Sequence, residues 1–219
     1  EAVADFYPQW LKEGIHVITP NKKAGSGPLD RYKKILESEE KFLRYFFYEA
    51  TVGAGLPVIS TLRDLLQTGD EIVSIEGLLS GTLSFLFSEW NSNTKFSDLI
   101  LSAKKKGYTE PDPRDDLNGV DVARKIVILA REAGFNLNLG DVQIESLVPH
   151  DLLNLKSSDE FLEQLSKMDD WLQPRLNEAR NRGAVLRYSG FVDANGKAQV
   201  GLREFPSDHP FAHIQGTDN

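Results

Sequence analysis

The sequence predicts an α/β unit followed by an α+β domain, with the boundary near residue 55. Two observations lead to this prediction. Helix-like and strand-like segments alternate in the first part of the chain, which is typical of βαβ units. The last part instead carries two strand-like segments around Asn195-Gly196, a dipeptide that favours a tight hairpin turn and therefore an antiparallel pair.

Hydrophobic periodicity and breaker residues place the elements of the first part. Proline opens two of the predicted helices, at Pro28 and Pro57, where its missing N–H costs nothing. The predicted elements are a helix over 2–12, a short buried strand over 15–18, a helix over 29–37, a strand over 42–48 and a helix over 58–67.

The second part is richer in helix. A capping box at Ser157 to Glu160 opens a helical region that extends to Arg182 and that we expect to break near Pro174. The predicted elements are strands over 71–79, 144–148, 185–192 and 199–205, helices over 82–90, 96–106 and 120–133, and a loop over 107–118.

Composition excludes several classes of protein. The 219 residues include no cysteine, so disulfides, thiolate nucleophiles and cysteine-bound zinc are ruled out. The net charge of −8 and the absence of a basic stripe argue against nucleic-acid binding. No apolar run approaches the roughly 18 residues of a membrane span, and residues 1–10 do not resemble a signal peptide.

A glycine-containing turn, Gly53-Ala54-Gly55, lies between a predicted strand and a predicted helix. It resembles a dinucleotide fingerprint, but Val58 stands where the third glycine belongs and Pro57 lacks an N–H for a phosphate. Two other interpretations remain open: a structural turn, or a turn whose carbonyl oxygens bind a cation together with the Glu49 carboxylate.

Acidic residues are concentrated in the predicted loop over 107–118, the acidic loop, and their spacing does not match an EF-hand. Asp121 and Lys125 share a face of that helix at a spacing of four. They could form a surface ion pair. The helix is otherwise apolar, however, and burial lowers the pKa of a lysine, so that Lys125 could exchange a proton with a reacting group. Clustered carboxylates could bind a substrate ammonium group or form a non-catalytic acidic loop.

Four motifs together resemble the homoserine dehydrogenase family, in the family's order and spacing. They are Thr19-Pro-Asn-Lys-Lys23, Glu49-Ala-Thr-Val-Gly-Ala-Gly-Leu-Pro57, Glu76-Gly-Leu-Leu-Ser-Gly-Thr82 and the segment 107–125. The resemblance extends from about Phe6 to His209 and is greatest to the fungal-type and aspartokinase-linked forms. It implies that 1–55 is the tail of a nucleotide-binding Rossmann domain. It also implies that 56–219 is a substrate-binding and dimerisation domain with a mixed sheet covered by helices.

The resemblance also implies roles for residues around the acidic loop. Lys125 matches the family's proton donor to the aldehyde oxygen, and Asp121 matches the acid beside it. The remaining matches are to substrate-binding residues: Glu110, which takes the substrate amino group, with Asp116, Thr82 and Tyr108.

Cofactor and cation sites follow from the same resemblance. Lys22 matches a lysine between cofactor and substrate, and Gly107 matches a backbone contact near the nicotinamide of NADP or NAD. A monovalent cation, sodium by preference, would be held by the matches to the family's cation ligands: the Glu49 carboxylate and the carbonyls of Val52, Ala54 and Leu56.

The implied activity is the NAD(P)H-dependent reduction of aspartate semialdehyde to homoserine, and its reverse, in threonine and methionine biosynthesis. The resemblance implies a homodimer, a fusion to aspartokinase as one form, and a cytoplasmic or plastid location. The family's cofactor fingerprint and its C-terminal closing segment are expected outside these residues, so we expect this chain alone to be poorly active. The alternatives are a non-catalytic dimerisation or regulatory fragment and a dehydrogenase of another amino-acid aldehyde.

Overall fold

A computed structural model of the chain describes residues 2–91 and 93–217. Short 3-10 helices at Ala2–Phe6, Glu49–Thr51, Leu139–Asp141 and Pro210–His213 supplement the regular elements. Within the described ranges, the α-helices are α1 Tyr7–Lys12, α2 Lys22–Ser26, α3 Leu29–Phe42, α4 Val58–Gln67, α5 Gly81–Glu89, α6 Phe96–Lys105, α7 Arg114–Leu117, α8 Val120–Glu132, α9 His150–Leu153, α10 Ser158–Glu163 and α11 Ser166–Asn181. The strands are β1 Val17–Ile18, β2 Phe46–Phe47, β3 Ser74–Gly77, β4 Gln143–Ile144, β5 Ala184–Asp193 and β6 Ala198–Pro206.

The chain divides into two compact units, each built from separate stretches of sequence. The first consists of Glu1–Ile75, Ala123–Gln143 and Phe191–Ala198. The second consists of Glu76–Val122, Ile144–Gly190 and Gln199–Asn219.

In the first unit, β1 and β2 form a parallel two-stranded sheet in which Val17 lies opposite Phe46 and Ile18 opposite Phe47. Val17 and Phe46 are buried, whereas Ile18 is 78% exposed. The prediction of a buried strand over 15–18 was therefore wrong in part. The strand has two residues, and only one of its faces is covered.

Helix α3 continues to Phe42, beyond its predicted end at residue 37, so Phe42 closes a helix rather than opening a strand. Ser38, Glu39 and Glu40 contain no helix breaker, and the helix ends only where Leu43 adopts a left-handed conformation with φ 52°. The predicted strand over 42–48 shrinks to Phe46–Phe47 for the same reason.

Helix α2 was not predicted. Its start is fixed by Asn21, whose side-chain oxygen accepts a hydrogen bond from the Lys23 N–H at 2.9 Å. The Thr19 hydroxyl oxygen in turn accepts a bond from the Asn21 N–H at 3.0 Å. These are the capping interactions that asparagine and threonine favour before a helix.

A four-stranded sheet has the order β3-β5-β6-β4, and the predicted hairpin of β5 and β6 is confirmed. Its turn closes through the Lys197 carbonyl, which accepts a bond from the Asp193 N–H at 3.1 Å. Gly196 has a φ of +77°, which glycine adopts without strain.

The strands predicted over 71–79 and 144–148 are shorter than expected, and the predicted loop over 107–118 contains α7.

The predicted break at Pro174 was wrong, because α11 runs from Ser166 to Asn181 with Pro174 inside it. A proline inside a helix costs about 3 kcal/mol. Buried Leu172 and Leu176, on either side of it, hold the helix in place. The break lies before Ser166 instead.

The predicted capping box at the start of α10 is incomplete. The Ser157 hydroxyl oxygen accepts a hydrogen bond from the Glu160 N–H at 3.1 Å, but the Glu160 carboxylate accepts one from the Lys156 N–H rather than from the Ser157 N–H.

Across residues 2–91 and 93–217, none of the helices combines the length and apolar character that a bilayer-spanning segment requires.

Gly119, directly before α8, is the tightest glycine in the second unit. Its φ is +78°, and a Cβ added there would lie 2.0 Å from the Tyr188 hydroxyl oxygen. That hydroxyl donates to the Glu145 carbonyl at 2.7 Å, so the ring cannot swing away without losing a part-buried hydrogen bond.

We predict that Gly119→Ala lowers the free energy of unfolding by about 2–4 kcal/mol, of which about 1–2 kcal/mol is left-handed strain and the rest is overpacking. Chemical denaturation measures the effect. Gly134→Ala is the matched control, because Gly134 has a φ of +90° and no atom within 4 Å of an added Cβ. Equal losses for the two variants would contradict the clash with Tyr188.

Candidate functional site

Helix α8 carries Asp121 and Lys125 one turn apart. The Asn118 side chain accepts a hydrogen bond from the Val120 N–H at 2.8 Å and so satisfies the start of the helix. Ile126, Val127 and most of their apolar neighbours on α8 are buried, whereas Asp121 and Lys125 are only half-buried. The helix is therefore anchored by apolar packing and leaves both charged side chains in partial contact with solvent.

In the second unit, Thr82, Tyr108, Glu110 and Asp116 come together. The Thr82 hydroxyl oxygen lies 2.6 Å from the Tyr108 carbonyl oxygen and 3.0 Å from Asp116 Oδ1. The other oxygen of Asp116 accepts a hydrogen bond from the Glu110 N–H at 2.8 Å. Asp116 therefore links the start of α5 to the backbone of the acidic loop and fixes the position of Glu110, whose side chain is exposed.

Burial raises the pKa of the Asp116 carboxyl, and the nearby carboxylates of Glu110 and Asp115 act in the same direction. The hydrogen bonds from the Glu110 N–H and from Thr82 act in the opposite direction. Thr82 has one hydroxyl proton and two acceptors within reach. The hydroxyl therefore shares its proton between the Tyr108 carbonyl and the Asp116 carboxylate.

Arg114 holds the acidic loop in place, and the sequence interpretation missed its role. Its guanidinium pairs with the Asp112 carboxylate at 2.6 Å and donates to the Leu155 carbonyl at 2.7 Å. The hydrogen bonds from Arg114 keep the pKa of Asp112 below its usual range. The signal was the Pro111-Asp-Pro-Arg run, in which a rigid backbone presents an acid and an arginine two residues apart.

Gly107 ends helix α6 with a φ of +73°. The Gly107 N–H donates to the Lys104 carbonyl and the Tyr108 N–H to the Ala103 carbonyl, each at 3.0 Å, which is the Schellman pattern. The turn places Tyr108 at the edge of the acidic loop, with its ring 43% exposed.

In the first unit, Lys22 is the first residue of α2 and is half-buried. Its carbonyl accepts a hydrogen bond from the Ser26 hydroxyl at 2.9 Å. The capping by Asn21 described above fixes where this helix begins, and therefore where the Lys22 side chain leaves the backbone.

The Glu49 side chain, although Glu49 precedes helix α4 by nine residues, places its carboxylate at the N-terminus of that helix. Its Oε1 accepts a hydrogen bond from the Ile59 N–H at 2.7 Å, and its Oε2 accepts one from the Ser60 N–H at 2.9 Å. A carboxylate at a helix N-terminus also gains from the helix dipole. Two of the roughly four lone-pair positions of the carboxylate stay available for another partner.

The turn between Glu49 and α4 has two consecutive residues with positive φ, Gly53 at 75° and Ala54 at 50°. A Cβ on Gly53 would lie 2.5 Å from Val58 Cγ2, so glycine is required there for packing. Because the Glu49 carboxylate already takes the N–H groups of Ile59 and Ser60, they cannot bind a phosphate, and the carboxylate would repel one. The geometry agrees with the rejection of this turn as a dinucleotide fingerprint.

The structure therefore groups the predicted site residues by unit. Thr82, Gly107, Tyr108, Glu110, Asp116 and Asp121 belong to the second unit, and Lys22, Glu49, Val52, Ala54, Leu56 and Lys125 belong to the first. In the described part of the chain, no three or more histidine, aspartate or glutamate side chains form a group that could hold a metal ion.

The link between Thr82 and Asp116 gives a direct test of this geometry. Thr82→Val removes the hydroxyl without changing the side-chain shape, and we expect the pKa of Asp116 to rise because the bond from Thr82 lowers it. Carboxyl-carbon NMR titration measures that pKa, with Thr82→Ser as the control that restores the hydroxyl. The loss of a part-buried hydrogen bond should also cost about 1–3 kcal/mol of stability. An Asp116 pKa that falls or stays constant in the valine variant would contradict the assignment.

Two family models match the chain. The one described as homoserine dehydrogenase matches residues 57–219, and the one described as the homoserine dehydrogenase NAD-binding domain matches residues 1–49. A crystal structure of a protein of unknown function from Candida auris superimposes with a TM-score of 0.93 at 46% identity. It covers 99% of this chain and 62% of that one.

Among relatives, the bifunctional aspartokinase/homoserine dehydrogenase 1 of Zea mays, named chloroplastic, is 56% identical over an alignment of 220 positions, which covers 100% of this chain and 24% of that protein. The homoserine dehydrogenase of Saccharomyces cerevisiae is 47% identical over an alignment of 223 positions, which covers 99% of this chain and 62% of that protein. The chain thus spans about a quarter of the plant relative's length and about three fifths of the yeast relative's. Since a family model covers well over half of it, the chain belongs to the homoserine dehydrogenase family.

Proposed function

We propose that this chain provides the substrate-binding and proton-transfer part of an enzyme that reduces aspartate semialdehyde to homoserine and catalyses the reverse reaction. The observation that carries the proposal is helix α8, which presents Asp121 and Lys125 one turn apart directly after the acidic loop. In a chain of this family, that arrangement supplies a proton donor beside carboxylates suited to an amino-acid substrate.

The carboxylates would bind the substrate through its ammonium group. Glu110 is exposed, and its backbone is held by Asp116, so the Glu110 carboxylate is presented from a fixed position. Charge-assisted hydrogen bonds are about twice as strong as neutral ones, which favours an ammonium ligand. Thr82 and Tyr108 would complete the contacts, Thr82 by setting the position of Asp116 and Tyr108 by its exposed ring.

Lys125 would supply the proton. When bound, the reduced nicotinamide cofactor, NADPH or NADH, would supply the hydride for the aldehyde carbon. The Lys125 ammonium would donate its proton to the carbonyl oxygen and take a proton back in the reverse direction. Asp121, one turn before it, would keep that amine oriented. Lys22 and the Gly107 backbone would hold the nicotinamide end of the cofactor.

The turn at Glu49 would hold a monovalent cation, sodium by preference. Its ligands would be the Glu49 carboxylate and the carbonyls of Val52, Ala54 and Leu56, an all-oxygen set with one negative charge that suits a hard cation. The residues fit this use, because capping of α4 occupies only one lone pair on each Glu49 oxygen. Positive φ at Gly53 and Ala54 makes the turn compact.

The arrangement of the whole protein is part of the proposal. We assign residues 1–55 to the end of a nucleotide-binding Rossmann domain and 56–219 to a substrate-binding and dimerisation domain of a homodimer. The names of the plant relatives support fusion to aspartokinase and a plastid location as one form. A cytoplasmic location is proposed for unfused forms.

In the full protein, we expect Lys125→Ala to lower kcat by about 10²–10⁴-fold, the usual contribution of general acid catalysis, with little change in cofactor affinity. Steady-state kinetics with aspartate semialdehyde and calorimetry with NADPH measure the two quantities. Lys33→Ala, which removes an exposed lysine from α3, is the control. A kcat within about threefold of the wild-type value would refute the role of Lys125.

Glu49→Ala should weaken the activation by sodium and also destabilise the protein by about 0.5–2 kcal/mol, because it removes the cap of α4. Ser157→Ala separates the two effects. It removes the cap of α10, where Ser157 accepts from the Glu160 N–H, and leaves the turn at Glu49 intact. The proposal requires an altered sodium response in the first variant alone. An unchanged response in both would leave Glu49 with only its structural role.

A further inference from the structure

We infer that Arg131 and Glu132, consecutive residues in the last turn of α8, are positioning residues with separate targets: Arg131 orders the segment that carries Lys22, and Glu132 orders the turn that carries Glu49. The inference rests on the proposed function, which gives Lys22, Glu49 and Lys125 their roles. All the contacts that support it lie within the first unit.

The side chain of Glu132 is 5% exposed and lies among three donors from other elements. Arg63 Nε of α4 lies 2.7 Å from Glu132 Oε2. The Tyr32 hydroxyl of α3 lies 3.1 Å from Oε1, and the Tyr48 hydroxyl donates to the same oxygen. Arg63 Nη2 also donates to the Tyr48 hydroxyl oxygen at 2.9 Å, so the donors are linked to one another as well as to the carboxylate.

The residues that contact Glu132 lie on both sides of the turn at Glu49 in the sequence. Tyr48 directly precedes Glu49, and Arg63 belongs to α4, the helix whose first N–H groups Glu49 caps. Glu132 therefore fixes both the residue that enters the turn and the helix that leaves it. Loss of the Glu132 charge should loosen the carbonyl positions of the turn without unfolding α4, which keeps its cap.

The hydrogen bonds of Arg131 go to a different set of groups, all of them backbone carbonyls, and its guanidinium also lies over the Tyr32 ring, 5.2 Å from the ring centroid. Its guanidinium donates to Gly25 and Gly27 at 2.7 Å each and to Leu137 at 2.9 Å. Gly25 and Gly27 lie at the end of α2, the helix that begins with Lys22. The backbone of α2 also approaches α8 closely, since a Cβ on Gly25 would lie 3.0 Å from the Ile128 side chain.

Both residues are connected to Lys125 by the rigidity of one helix. Glu132 lies seven positions after Lys125, which corresponds to two turns and about 10 Å along the helix axis. If the end of α8 moves, Lys125 therefore moves with it, relative either to α2, which begins with Lys22, or to the turn between Glu49 and α4. Near-attack geometry tolerates errors of much less than 1 Å, so such displacements would be visible in binding and activity.

Stability alone does not explain these buried charges. Burial raises the pKa of Glu132 to about 7, with Glu39 adding to the rise and the bond from Tyr32 opposing it. Because this folded pKa lies above the ordinary value, Glu132 stabilises the fold most at low pH, and that contribution is lost as pH rises to about 7. Glutamine keeps the size of the side chain and an oxygen acceptor, and Arg63 is 35% exposed, so water can solvate its guanidinium and the Glu132→Gln variant should fold.

The experiment uses Glu132→Gln and Arg131→Lys in the full protein, and neither readout depends on turnover. One is the NADPH dissociation constant by calorimetry. The other is the sodium concentration that gives half of the maximal thermal stabilisation. We expect Glu132→Gln to raise the sodium midpoint about tenfold with the NADPH constant within threefold, because the variant weakens the charge-assisted hydrogen bond that ties α4 to Glu132. Arg131→Lys should raise the NADPH constant about tenfold and leave the sodium midpoint within threefold.

Two further variants sharpen the result. Tyr48→Phe removes one donor to Glu132 and should shift the sodium midpoint in the same direction by a smaller factor. Glu204→Gln is the control, because it removes the same charge from an exposed ion pair with Arg182 and should change neither quantity. Parallel shifts of both quantities in both variants, or no shift in either, would overturn the inference.

Failure of the proposed function would be distinguishable from failure of the inference. A wild-type protein that binds NADPH and responds to sodium but does not reduce aspartate semialdehyde would refute the activity alone. A wild-type protein that neither binds NADPH nor responds to sodium would overturn the inference as well.

Discussion

Burial of the apolar middle of α8 on all its sides is the constraint on which the other features depend. Ile126, Val127, Ile128 and Leu129 are almost fully buried, and at about 1.5–3 kcal/mol for each side chain they provide about 6–12 kcal/mol of the stabilisation opposing chain entropy. The same helix must place Asp121 and Lys125 at its start and Arg131 and Glu132 at its end. Charged residues at these positions are tolerated because the helix between them is firmly packed.

Hydrogen bonds within the acidic loop stabilise several carboxylates that lie close together. Several carboxylates lie close together in sequence, and like charges repel unless donors hold them apart. Asp112 is neutralised by Arg114, and Asp116 takes the Glu110 N–H and the Thr82 hydroxyl. Glu110 keeps an exposed carboxylate, so the loop distributes its acids between internal hydrogen bonds and a side chain open to a cationic ligand.

Glu49 has a structural role in the fold that is compatible with the cation site proposed for it. Its two hydrogen bonds to the start of α4 are a structural requirement, since those N–H groups have no partner within the helix. The same bonds hold the carboxylate in one position and leave one lone pair on each of its oxygens available. Capping would therefore not compete with the proposed cation, and it prevents the turn from binding phosphate.

The sequence by itself determined the class of fold, the helices over 58–67, 82–90 and 96–106, the helix of Lys125 and the hairpin around Gly196, because local signals mark those elements. Caps, breakers and hydrophobic periodicity act over a few residues and can be recognised without the fold. The four motifs likewise identified the family before any geometry was known. Tertiary structure alone decided that α11 continues through Pro174 and that Arg114 organises the acidic loop. It also decided that Tyr32, Tyr48 and Arg63 meet at Glu132, residues separated by 69 to 100 positions from their partner. The physical reason is that burial and long-range hydrogen bonds depend on which segments pack together, and no window of local sequence contains that information.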